Sequence, residues 1–417
     1  MSHHHLPEGI LLDICLRLPL KSIARFRCVN KNFCFLLKSP NFIQKHLDHS
    51  IERDKFSLLI CSNSDGKSSV HSMASRSDSS LSLSDYKTLE IDYPFKSQKP
   101  LVEIIGSCNG LVCLELNRRD VCIWNPSTTE FKKIQTLPDE FKWRPKSSPE
   151  SRLGGEKAHS YGFGYDSKNG DYKLVRFELS EHVMYLSTCS IYTSGTNTWK
   201  NIPGIRYDVK PGVHLDGILY FSALRTRNHG DGWIVSPFIL SFNVCDESVH
   251  EIELPDGLVG KVGLNVSVFG EKLCLICVIH GVHNEFIHGV HNELELWLMK
   301  DFGENKGNWT KIVTIDDCLK GVSYLMPLHF FKTGEILFEL QGEEVDVPNG
   351  VLLYDPKHKR NAALQMRGTH QLFGMQSYVP SLVSLKSGTF VGAGNSRNCK
   401  ARRKAGKSRN YKARRKA

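Results

Sequence analysis

The sequence lacks any apolar run long enough to cross a bilayer. Its longest runs, such as Leu273–Ile279, span a handful of residues, against the ~20 that a spanning helix needs. It shows no secretory leader pattern either: the stretch after Met1-Ser-His-His-His-Leu-Pro-Glu8 is interrupted by Asp13, Arg17 and Pro19. There is no GxSxG, no P-loop, no HExxH and no paired-cysteine zinc framework, so the common hydrolase, nucleotide and metal signatures are missing. With 40% hydrophobic residues, the chain is neither collagen-like nor wholly disordered.

The bulk of the chain also lacks net charge. The formal +10 lies in residues 395–417, which hold eleven Lys/Arg and no acid. Residues 1–394 carry 43 basic against 44 acidic side chains, a balance of −1. The body therefore has no global attraction to phosphate backbones. The tail repeats itself: Ser396-Arg-Asn-Cys-Lys-Ala-Arg-Arg-Lys-Ala405 returns as Ser408-Arg-Asn-Tyr-Lys-Ala-Arg-Arg-Lys-Ala417. The clusters Lys400, Arg402, Arg403, Lys404 and Lys412, Arg414, Arg415, Lys416 suit a bipartite nuclear-import signal, with RNA binding or a solvated extension as the other readings. The thirteen cysteines are odd in number and scattered, several inside apolar segments, as free thiols of a reducing compartment would be. Together these features predict a cytoplasmic and/or nuclear protein.

Residues 6–49 read as three or four short helices. Ile10, Leu11, Ile14 and Leu18 follow a helical period up to Pro19, then Ile23 and Phe26 mark a second helix and Val29, Phe33, Leu36 and Leu37 a third. Ser39-Pro40 supplies a stop and a new start before Phe42, Ile43 and Leu47. Such a module has a marginal core and must lean on a neighbour or a partner.

Beyond residue 50 the texture becomes strand-like. Eleven pieces, most of four to eight residues, stand out: Phe56–Cys61, Gly110–Leu116, Val121–Trp124, Lys173–Glu178, Ser190–Tyr192, Ile218–Ser222, Ile239–Asn243, Lys272–Ile279, Leu294–Leu298, Glu335–Leu340 and Val351–Tyr354. A repeat near 50 residues recurs as a strand, a polar turn and an aromatic or apolar residue, best seen in Ile123–Phe131 and Ile191–Trp199. That period predicts a kelch-like β-propeller of about six blades, with a multi-sheet β-sandwich as the alternative. Residues 51–96 are expected to form a further blade that Leu372–Leu385 closes. Trp124 and Trp199 are expected in the blade cores. The domain boundaries read as 1–49 for a helical module, 50–386 for a β-domain and 387–417 for a disordered basic tail.

Three segments read as insertions: Ser62–Ser84 with eleven serines, Asp139–Ala158, and His280–Leu294 with its duplicated His-Gly-Val-His-Asn-Glu. The duplication gathers His280, His283, His288 and His291, but with no Cys or carboxylate partner at ligand spacing it reads as a lengthened hairpin loop rather than a metal site. Cys274-Leu-Ile-Cys277 sits in a strand, where i and i+3 face opposite ways and chelation of one ion is disfavoured. Gly162-Phe-Gly164 opens no helix and reads as strand and turn. No metal and no cofactor are expected.

The N-terminal segment resembles an F-box. The match runs through Leu6-Pro-Glu-Gly-Ile-Leu-Leu-Asp-Ile14, Leu16-Arg-Leu-Pro-Leu-Lys-Ser-Ile-Ala-Arg-Phe-Arg-Cys-Val29 and Lys31-Asn-Phe33, extended by Pro40-Asn-Phe42 and His46-Leu47. The β-region resembles the plant F-box-associated interaction domain, of the type found in F-box/kelch-like and S-locus F-box proteins. It does so through Gly106-Ser-Cys-Asn-Gly-Leu-Val112, Trp124-Asn-Pro-Ser-Thr128, Tyr161-Gly-Phe-Gly-Tyr-Asp166 and Lys173-Leu-Val175. Departures are Phe33 for the usual Trp, Asn30 for Cys or Ser, and Gly9 for an acidic residue, the last costing up to about 1 kcal/mol of helix propensity.

The resemblance implies a non-catalytic substrate receptor of a Skp–cullin–F-box ubiquitin ligase. The F-box would dock on a Skp-type adaptor through Leu6, Pro7, Ile10, Leu11, Ile14, Leu18, Pro19, Val29 and Phe33, and the β-domain would hold a protein target for degradation. A propeller enzyme or sugar-binding propeller with an incidental helical leader is the alternative. No membrane partner is expected, and nucleic acid only through the tail.

Overall fold

The computed structural model describes residues 7–64, 67–74, 88–98, 100–135, 159–179, 187–203, 207–228, 233–256, 258, 264–280, 292–302, 307–315, 322–342, 350–365 and 371–385. Four helices come first: α1 (Glu8–Arg17), α2 (Leu20–Phe26), α3 (Lys31–Lys38) and α4 (Pro40–Glu52). Side-chain caps set two of the starts. Asn30 Oδ1 accepts from Phe33 N at 2.8 Å, and Ser39 Oγ accepts from Phe42 N at 3.2 Å with Pro40 at the first helical position. Because Asn30 is the cap of α3, Val29 lies in the turn before it and not in the helix, contrary to the periodicity reading.

Six antiparallel sheets follow. The first joins Ser57–Ser64, Lys67–Ala74 and Leu89–Glu90 to the late strand Gln371–Tyr378. The second contains Val102–Cys108, Leu111–Leu116, Asp120–Trp124 and Phe131–Lys133. The third contains His159–Asp166, Asp171–Leu179, Ser187–Thr193 and Thr198–Ile202. The fourth is built on the long hairpin Ile218–Asn228 and Trp233–Asn243, with Asp208–Val209 and Val213–Leu215 inside and Val249–Ile252 outside. The fifth runs from Leu264–Phe269 to Gly307–Ile315, and the sixth from Val322–Phe330 to Arg360–Gln365. Inner strands of successive sheets touch around a closed ring. This is a six-bladed propeller, not a β-sandwich. The C-terminal strand closes it by pairing Leu59 with Gln376 and Ser57 with Tyr378.

All eleven expected strand segments lie in or overlap these strands. The 50-residue repeat is the hairpin between third and fourth strands, built around an Asx turn. Asn125 Oδ1 accepts from Ser127 N and Thr128 N, Asn243 Oδ1 from Cys245 N and Asp246 N, and Asp355 Oδ1 from Lys357 N and His358 N. Trp124 is buried, as expected. Trp199 is half-buried, its ring 5.5 Å from Tyr192 and its Nε1 donating to Gln135 O at 2.8 Å.

The serine-rich segment needs correction. Residues 62–64 and 67–74 form a hairpin rather than a loop, with Val70 and Met73 buried and Ser62 Oγ 2.8 Å from Ser69 Oγ across the strands. Two buried apolar side chains and paired hydroxyls hold it despite its composition. Residues 75–84 and 139–158 lie outside the described residues, as do His283, His288 and His291. The duplication joins two paired strands, with His280 registered opposite Asn292. Cys274 and Cys277 point to opposite faces, one into the core shared with the sixth blade and the other into the core shared with the fourth.

Close approaches explain two glycines. A Cβ at Gly162 would sit 2.6 Å from Phe221 Cζ, and one at Gly164 would sit 2.9 Å from His214 Cδ2, so bare backbone lets the third blade meet the fourth.

Candidate functional site

Helix α1 divides its apolar residues between two environments. Cys15 is buried, and Leu12 and Leu16 pack against the same core. Ile10 and Ile14, one turn apart, are 48% and 45% exposed. The end of α2, the turn after it and helix α3 add Phe26, Val29 at 63% and Phe35 at 80% exposure. With Ile51 these make six of the nine exposed large apolar side chains among the described residues. The other three, Leu89, Phe131 and Ile312, stand singly on the outermost strands of three different blades. Scattered apolar residues need no partner, whereas a concentration in so small a module marks a surface that is covered in use.

The expected docking residues divide accordingly. Leu6 lies outside the described residues. Pro7, Ile10, Ile14, Pro19 and Val29 are exposed. Leu11, Leu18 and Phe33 are half-buried and support the others: Leu18 O lies 3.3 Å from His46 Nε2, and the Phe33 ring lies 5.9 Å from Phe26. Phe26 and Phe35 were absent from the sequence-based set. Phe35 follows Phe33 by two residues, which on a helix turns it away from the face of Phe33 and Leu37. That offset was the available signal. The tail clusters at 400–404 and 412–416 lie outside the described residues.

The module is mounted on the propeller through one continuous core. Ile23, Leu37, Phe42 and Ile43 belong to the same buried cluster as Leu111, Ile123, Leu382 and Val383. The strap Val379–Leu385 lies in this junction, and the sequence motifs converge on it. The fully buried Asn125 donates through Nδ2 to Ser381 O at 3.2 Å and Val383 O at 2.7 Å. Ser381 Oγ donates to Asn109 O at 2.9 Å, and a Cβ at Gly110 (φ +78°) would fall inside Ser381. Trp-Asn-Pro and Gly-Ser-Cys-Asn-Gly are thus the two jaws that grip the end of the fold.

A second joint follows α4. His329 Nε2 lies 2.9 Å from Asp54 Oδ1, the His329 ring stacks on Phe56 at 3.7 Å, and Lys332 Nζ donates to Glu52 O. Burial raises the Asp54 carboxyl, but the His329 contact and Lys332 outweigh it and leave it below its usual range.

One buried constellation resembles catalytic machinery. Cys108 Sγ and His214 Nδ1 are 3.4 Å apart, and His214 Nε2 accepts from Gly217 N at 3.2 Å. Burial pushes the Cys108 thiol up and the His214 imidazole down to about 4. An activated cysteine needs the reverse, a depressed thiol beside a cationic ring. The pair is a neutral internal contact. Among the described residues no three metal-ligating side chains come together, and no helix is long and apolar enough to cross a membrane.

Comparison with known proteins agrees with this division. Residues 64–385 match the F-box associated beta propeller domain, and residues 4–45 match the F-box domain. The F-box protein CPR1 of Arabidopsis thaliana is 25% identical over 405 residues, covering 91% of this chain and 88% of that protein. The F-box/kelch-repeat protein At3g23880 of Arabidopsis thaliana is 26% identical over 332 residues, covering 75% and 80%.

Proposed function

The chain belongs to the F-box-associated β-propeller family and carries an F-box, and from that premise we propose that it is the substrate-receptor subunit of a Skp–cullin–F-box ubiquitin ligase. An F-box with a propeller fits a receptor, a non-enzymatic role, and an F-box implies a Skp-type adaptor as partner. The observation that carries the reading is the concentration of exposed apolar side chains on the helical module. Pro7, Ile10, Ile14, Val29 and Phe35 form the adaptor face, with Leu6, Leu11, Leu18, Pro19 and Phe33 contributing contacts or support. Burying such side chains stabilises a complex by about 1.5–3 kcal/mol each.

The propeller holds the target. Its loops sit on a rigid scaffold that the strap and the Asp54–His329 joint fix relative to the adaptor face, so a bound protein is presented at a set distance for ubiquitin transfer and degradation. Capture of a purified Skp-type adaptor by the full chain tests the reading. Ile10→Asp with Ile14→Asp should abolish capture, and undiminished capture contradicts it. For location, the basic tail is proposed to carry the chain into the nucleus. Deleting 395–417 should shift a fluorescent fusion towards the cytoplasm, and an unchanged distribution contradicts that role.

A further inference from the structure

A cleft of about 760 Å3 lies between the helical module and the propeller. Helix α2 contributes Lys21, the residue that ends it Arg27, and helix α3 Lys38. The facing wall, made of the Asn-Pro-Ser-Thr turn and the strap, contributes Ser127, Thr128 and Ser384. Among the described residues none of the three cations is in a salt bridge. The one acid lining the cleft, Glu130, is already engaged: it accepts from Ser384 Oγ at 2.7 Å and from Leu385 N at 3.0 Å.

Arg27 is held in place rather than swinging free. Its Nη2 donates to Leu37 O at 2.8 Å, which fixes the guanidinium plane, while its buried Nε has no partner. Burial lowers the guanidinium pKa, with Cys34 and Glu130 opposing. An anion in the cleft would balance the surplus positive charge of its lining. The volume is that of a small-molecule site and exceeds what a single phosphate fills.

We propose that this cleft binds a compact polyanion carrying several phosphate or carboxylate groups, and that the ligand bridges the F-box to the propeller. Arg27 places its guanidinium charge against one anionic group, Lys21 and Lys38 act as point charges on others, and the Ser127 and Thr128 hydroxyls donate from the opposite wall. Both walls contribute, so the ligand would stiffen the junction that sets the distance between adaptor and target.

Tripolyphosphate and citrate serve as probes on the full chain, read by thermal melting and hydrogen exchange. At least one should raise the melting temperature by a few degrees in a dose-dependent, salt-sensitive way and slow exchange at both 20–38 and 378–385. Which probe responds tells phosphate from carboxylate chemistry. The full chain also carries the basic tail, so the control is Lys21→Glu with Lys38→Glu. Both lysines are exposed, and the variant should fold while binding at least about tenfold more weakly. Arg27→Gln should likewise lose the response. No shift with either probe, or an equal shift in the Lys21/Lys38 variant, overturns the proposal. The assay contains no adaptor, so its failure leaves the receptor reading untouched.

Discussion

The helical module and the propeller solve the same burial problem with opposite results. The propeller closes on itself: the strand Gln371–Tyr378 completes the first blade, and among the described residues its exposed large apolar side chains are three, on three separate outer strands. The helical module, less than a seventh of the chain, exposes six. A ring gives every blade two neighbours and so finishes its own core. Four short helices cannot, and they divide their apolar surface between the propeller beneath and a partner above. Substitutions in the two regions should therefore separate stability from binding.

The largest expected loss of stability is at Trp124, buried beneath the second blade's turn. Trp124→Ala should cost about 3–5 kcal/mol, read by denaturant unfolding. A variant that unfolds like wild type yet loses its target would move Trp124 from core to recognition site. Acid comes next. His214 falls to about 4 through burial, from ~6.5 in the unfolded chain. Its depressed folded value means the stabilisation is complete above pH 6.5 and is lost as pH falls through 4. From pH 7 to 4.5 the loss is about 2–3 kcal/mol, and His214→Gln should flatten that part of the stability–pH curve. An unchanged slope would place the acid sensitivity elsewhere, with the buried His46, also lowered by burial against the opposing Leu18 carbonyl contact, as the next group to test.

Asn125→Ala removes the strap's anchor and leaves two carbonyls without their donor. It should cost about 2–3 kcal/mol and speed hydrogen exchange over 379–385 more than over the blades. Uniform acceleration would mean that the strap and ring unfold together. The smallest change in stability is expected on the docking face. Phe35→Ala should shift stability by less than about 0.5 kcal/mol while weakening adaptor capture at least tenfold. A large destabilisation there would erase the contrast between the two regions.

Local physics made much of this fold legible. Buried strands read as apolar runs, and the Asx turns recur at Asn125, Asn243 and Asp355, so the repeat and its period could be seen. The Ser39-Pro40 break and the helices on either side followed from capping chemistry. What stayed hidden depends on distant residues. Nothing near Asn125 announces that it holds Val383, 258 residues away. The hairpin at 67–74 looked like a loop because serine composition masks Val70, buried in the core of Tyr93 and Val102, and Met73, buried in the core of Leu337 and Val351. Phe35 was passed over because helical period selects residues facing the protein's own core, and a docking side chain faces the other way. The cationic cleft was illegible for a similar reason: Lys21 and Lys38 meet Ser127 and Thr128 only once the strap joins the two regions.

The central claim is that the helical module's apolar face is built for a partner and not for the fold. The direct test is to measure adaptor affinity and melting temperature together for the full chain and for Ile10→Asp with Ile14→Asp. The account predicts tight capture by wild type, at least a hundredfold weaker capture by the variant, and melting temperatures within a degree or two of each other. Equal capture by both chains, or a variant that loses capture only because it unfolds, would contradict it.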